Sequence, residues 1–122
     1  MTASPPSLEG VWQMVRAELA GEQAPEMVVK NTQLELRGGR YAVRFSGEVV
    51  DQGSYSLNGG NSENLMILKG ESGPNFGKVI PCIFQLAENR LQVCYGLDGS
   101  APKSFSANAA NNWYLATYRR NP

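Results

Sequence analysis

The chain of 122 residues contains no histidine. That absence removes the commonest general base and the commonest metal ligand together, and with them most hydrolase and metalloenzyme chemistry. Cysteine is scarce: Cys82 and Cys94 are the only two, too few for a disulfide framework. Neither sign of charge prevails, because eleven basic and eleven acidic residues cancel and neither collects into a run. The basic stripe that a phosphate backbone or an anionic bilayer demands is therefore missing, and neither nucleic acid nor membrane is expected as a partner. No apolar run approaches membrane-spanning length, and the opening MTASPPSLEG has neither a basic n-region nor an apolar h-region. Residues 1–7 read as a disordered leader, residues 8–120 as one domain, and the expected location is the cytoplasm. No strong amphipathic helix is visible, which leaves strands.

What the sequence does contain is alternation. From Lys78 to Gly96 it spells a β-hairpin: Ile80, Cys82, Phe84 and Leu86 alternate with Pro81, Ile83 and Gln85, then Leu91, Val93 and Tyr95 alternate with Gln92 and Cys94. A two-residue turn at Glu88-Asn89 sets Leu86 opposite Leu91, Phe84 opposite Val93 and Cys82 opposite Tyr95. All the large apolar residues then share one face, an arrangement that a one-residue slip would undo. The same register sends Cys82 and Cys94 to opposite faces, so both are expected to be free thiols.

Thr32 to Phe45 spells a second hairpin, with Gly38-Gly39 supplying the positive φ angles of a tight turn, Leu34 opposite Val43 and Leu36 opposite Tyr41. Leu8 to Leu19 opens the fold as a long strand whose alternation is imperfect, as in a bent strand. Gly21 to Asn31 contains Pro25 and reads as one helical turn or capping loop, with Met27 and Val28 covering an open end. Gly47-Glu48 leads into Val49 to Leu57, where Gly53 marks a bulge. A polar turn over Asn58 to Asn64 precedes the apolar strand Leu65 to Leu68. Leu97 to Asn112 is a long, weakly patterned loop, and Trp113 to Arg120 is the last strand.

About eight short strands joined mostly by tight turns predict an all-β antiparallel up-and-down barrel. In such a barrel the first and last strands pair and leave no edge. Trp12 then lies near the final strand, where Arg119 is expected to stack on the indole and close that end. The expected interior includes Met14, Leu34, Leu36, Val43, Leu57 and Ile67, then Ile80, Cys82, Leu86, Leu91, Val93 and Leu115. With them lie the ligand-facing candidates Tyr41, Phe45, Tyr55, Phe84 and Tyr95.

Two motifs stay close to the chain's start and to its final strand: Leu8-Glu9-Gly10-Val11-Trp12 at the first, and an arginine ending the last. Together they resemble the signature of the calycins, the lipocalin and fatty-acid-binding barrels. With Gly21-Glu22, Pro25-Glu26, Gly53-Ser54-Tyr55-Ser56-Leu57, Leu91-Gln92-Val93-Cys94-Tyr95 and Pro102-Lys103-Ser104-Phe105, the pattern from Leu8 to Arg120 resembles a small lipocalin-like domain family found largely in planctomycete and related bacteria. The resemblance implies a lipocalin-like barrel and no assigned activity. Many members of that family carry secretion signals, a pattern not read in the opening MTASPPSLEG.

Two functional expectations follow, from different classes. The first is a non-enzymatic barrel that binds a small hydrophobic or amphipathic ligand oriented by Tyr41, Tyr55 and Tyr95. The second is a filled barrel that acts as a protein-interaction module through its long loops, since eight strands leave room for little more than side chains. Enzymatic alternatives are weaker. Gly70, Gly73 and Gly77 before Lys78 fail the phosphate-loop spacing, because Ser72 stands where glycine is needed and Val79 where a hydroxyl residue is needed. Glu48 with Asp51, or Glu63 with Glu71, are acidic pairs in polar turn-like stretches, where solvated carboxylates are ordinary. Neither a cofactor nor a metal is expected.

Overall fold

The computed structural model describes residues 8–57, 64–105 and 113–120; the expected leader, most of the 58–64 turn and the 106–112 half of the long loop lie outside them. The elements in order are β1 (Gly10–Leu19), β2 (Glu22–Gln23), α1 (Glu26–Asn31), β3 (Thr32–Arg37), β4 (Arg40–Phe45), β5 (Glu48–Leu57), β6 (Leu65–Ser72), β7 (Val79–Ala87), β8 (Arg90–Gly96) and β9 (Trp113–Arg120). Every pairing between these strands is antiparallel, and each strand from β3 onward pairs with the next. β1 pairs with both β3 and β9, so eight strands close into an up-and-down barrel. The two-residue β2 is only a flap on the end of β1.

The two hairpins keep the expected registers. Leu86, Phe84 and Cys82 face Leu91, Val93 and Tyr95, and Leu34 and Leu36 face Val43 and Tyr41. Gly38 and Gly39 take φ values of 60 and 78, as a primed turn needs. In β1 the pairing with β9 slips between Met14 and Arg16. Val15 is thus an extra residue, and the bulge carries the inward face from Trp12 and Met14 on to Ala17. A second slip adds Val50 in β5, and a third falls at Gln52/Gly53, where Glu71 of β6 is the extra residue. Gly53 is required there, because a Cβ would stand 1.9 Å from the Lys69 carbonyl oxygen.

Several inward assignments change. In β6 the residues facing the core are Met66 and Leu68, opposite Cys82 and Ile80, while Ile67 pairs with Pro81 on the outer side. In β9 they are Tyr114, Ala116 and Tyr118 in place of Leu115. Phe45 and Leu57 have the right parity but sit at strand ends, and both are exposed, Phe45 by 37%. α1 turns Val29 against the core, helped by Ala24, whereas Met27 and Val28 face outward. Pro25 is the residue just before the first helical turn, at φ −59 and ψ 150. A helix of six residues has little stability alone. Gln13 of β1 holds it, donating from Nε2 to the carbonyls of Val29 and Thr32 at 3.1 Å.

Candidate functional site

The barrel has two unlike ends. At one end, Trp12 is wholly buried and its Nε1 donates to the Leu8 carbonyl at 2.9 Å. The guanidinium carbon of Arg120 lies 4.3 Å from the indole centroid, and its Nη1 donates to the Glu9 carbonyl at 2.9 Å. The expected closure therefore forms, but with Arg120 and not Arg119. Tyr118 and Ala116 face inward, so parity carries Arg120 inward beside Trp12 and leaves Arg119 exposed on the outer wall. Gly10 stands beneath this stack at φ 131, and a Cβ there would come within 3.2 Å of Arg120 Nη1. The Glu9 carboxylate takes the Gly38 N–H at 2.8 Å and the Tyr55 hydroxyl. These two donors, the backbone one foremost, hold its carboxyl below the usual range.

Of the ligand-facing candidates, Tyr41 and Tyr95 are buried inside, and Tyr55 and Phe84 pack against the same core. Phe45 does not join them; it is on the rim. The three tyrosine hydroxyls also do not converge. That of Tyr55 reaches Glu9 at the closed end, that of Tyr41 reaches Asp51 at 3.3 Å, and that of Tyr95 meets Tyr118 at 2.7 Å. Burial first, then the Asp51 charge, raises the Tyr41 phenol above its ordinary 10.0. Around them Trp12, Leu34, Leu36, Met66, Cys82, Leu91 and Val93 are essentially without exposed surface, so no water-sized space adjoins these side chains.

Asp51 is buried, 7% exposed, and sequence reasoning offered it only as half of an acidic pair. Its carboxylate accepts from Tyr41 and, at 2.6 Å, from Asn75 Nδ2. The pairing with Glu48 does not form, since Glu48 is exposed at the start of β5. Glu71 is bound by Arg40 through two contacts of 2.9 and 3.2 Å, and Glu63 lies outside the described residues. Asp51 is instead a tie between the barrel wall and the loop after β6, and the bulge at Val50 that turns it inward leaves no mark in the sequence pattern. Among the described residues no group of three or more cysteines or carboxylates could hold a metal, and no helix is long and apolar enough to cross a membrane.

Several open spaces lie among the described residues. One, of about 690 Å³, is a groove on the outer wall of β7, β8, β9 and β1, lined by Arg16, Gln85, Arg90, Gln92, Leu115 and Thr117 among others. One of about 310 Å³ lies between Ile83 and Phe84 and the Pro102–Phe105 stretch. A third, of about 300 Å³, separates β1 from α1. Exposed apolar side chains collect at the end opposite Trp12: Leu19, Met27, Phe45, Phe76, Val79 and Leu97 all belong to strand ends, α1 or loops at that end. Phe76 is 72% exposed. No protein family, curated protein or solved structure matches the chain.

Proposed function

We propose that this barrel is a non-enzymatic protein-interaction module that meets its partner with the loop-bearing end. The observation that carries the reading is the apolar rim: Met27, Phe45, Phe76 and Val79 stand out from α1, β4, the loop before β7 and β7 itself, around the mouth opposite the Trp12 closure. Exposed apolar side chains gathered in one region mark interaction surfaces. The filled interior supports the same reading, because the residues that would wall an internal pocket fill it. A protein suits this rim better than an anionic lipid surface, since Glu22, Glu26, Glu48 and Asp98 interleave with Lys30 and Lys78.

A second reading keeps a small apolar ligand inside, among Tyr41, Tyr55, Phe84 and Tyr95. One observation favours it: no residue of α1 is buried, so the cap over that end is lightly held. Native mass spectrometry of protein purified gently from its own source, compared with its denatured mass, separates the two. The interaction reading expects a protein-sized increment that the double variant Met27→Ser/Phe76→Ser loses while remaining folded. A stoichiometric small-molecule increment, or a partner retained by that variant, overturns it.

A further inference from the structure

We infer that the outer groove of β7, β8, β9 and β1 is a second interaction surface, built to seat an acidic peptide segment with a carboxylate between Arg90 and Arg119. The inference goes beyond the apolar rim and does not depend on it. Arg90 and Arg119 are directly opposite each other across the β8–β9 ladder, both outward and exposed. Like charges facing one another on adjacent strands are destabilising, and among the described residues neither arginine forms an ion pair. Arg16, at the far side of the groove, is already neutralised by Glu18 at 2.6 Å. Along this groove the uncompensated positive charge is thus confined to one spot.

The groove next to that spot fixes the kind of anion. Its volume of about 690 Å³ is far larger than an inorganic ion needs and falls in the range of sites for organic ligands. Gln85 and Gln92 are cross-strand partners, and Thr117 faces Gln92 from the other side. All three line the groove. They place amide donors and acceptors and a hydroxyl in one row, which suits the peptide groups of an extended segment. Leu115, Val15 and Ala87 supply apolar contact beside them. Two guanidinium forks at one end hold a carboxylate by paired hydrogen bonds. A nucleic acid would need many phosphate contacts, which a chain of zero net charge with one such pair does not offer.

The test uses a fluorescein-labelled hexapeptide of alternating glutamate and alanine, and its twin with glutamine for glutamate, titrated against the full chain by fluorescence anisotropy. The expected result is binding of the glutamate peptide alone, weakened by salt, and weakened about tenfold or more in Arg90→Gln/Arg119→Gln. The same variant should melt at the same temperature or higher, because removing facing charges relieves repulsion, so lost binding cannot be ascribed to lost fold. Equal binding of the two peptides, no binding up to about a millimolar, or undiminished binding by the double variant would each overturn the inference. None of these outcomes touches the rim reading, which is decided by the mass of a protein partner.

Discussion

At the closed end one side chain, Arg120, meets several partners: its guanidinium covers the Trp12 ring, its Nη1 bonds the Glu9 carbonyl, and its backbone N–H bonds the Asn89 carbonyl at 2.7 Å. Arg119, one position earlier, points to the outer wall. A cation–aromatic contact contributes about 0.5–2 kcal/mol, more as it loses water, and a hydrogen bond from a charged donor about 1.5–3 kcal/mol. Because the two share one side chain they do not simply add, and Arg120→Ala is expected to cost about 2–3 kcal/mol. Arg119→Ala should stay within about 0.5 kcal/mol, as surface changes usually do. Urea unfolding of both variants checks this, and equal losses would mean that the closure does not depend on Arg120. The sequence showed an arginine at the end of the last strand beside a tryptophan at the start of the first. It could not choose between neighbours, because Trp113 to Leu115 is apolar on both faces and so conceals which parity is inward.

The same limit explains which elements were legible. β3–β4 and β7–β8 could be read to the residue pair because polar and apolar residues alternate strictly and a tight turn fixes the register. β6 could not, since Leu65-Met66-Ile67-Leu68 offers no polar face, and its inward residues emerge only from pairing with Cys82 and Ile80. Phe45 and Leu57 had the right face but the wrong height: periodicity says which way a side chain points, not how near it lies to the barrel's end. The exterior groove and the Asp51 tie were invisible for a related reason, being made by residues brought together across strands and bulges. The β7–β8 hairpin carries a prediction of its own. Cys82 points in and Cys94 points out, yet both are buried, and burial pushes the Cys82 thiol above its ordinary value. A thiol reagent should therefore find nothing to react with in the native protein and both thiols in denaturant without reductant. Fewer than two in denaturant would break the hairpin register, and fast native reaction would break the burial.

For the molecule as a whole, the absence of histidine and the placing of tyrosine set one pH profile. Glu9, Glu71 and Asp98 are held below their ordinary carboxyl values, by the Gly38 N–H, by Arg40 and by the Ser100 N–H respectively. Their stabilisation is complete above the ordinary values of 4.5 and 3.8, and it is lost as pH falls through the lower folded ones. At the other extreme, all five tyrosines, Tyr41, Tyr55, Tyr95, Tyr114 and Tyr118, belong to the core or pack on it, and burial raises every one above 10.0. A phenol whose folded value is raised binds its proton more tightly in the native state. Its contribution is full below 10.0 and disappears as pH climbs toward the folded value. With no side chain of ordinary pKa near neutrality to titrate, stability should be flat from about pH 5 to pH 9. Tyrosinate absorbance should then appear in one cooperative step together with loss of near-ultraviolet circular dichroism, because the barrel must open before its phenols ionise. A gradual tyrosinate rise centred near the free phenol value, with the dichroism intact, would show that the tyrosines face water and that the interior is not filled as described.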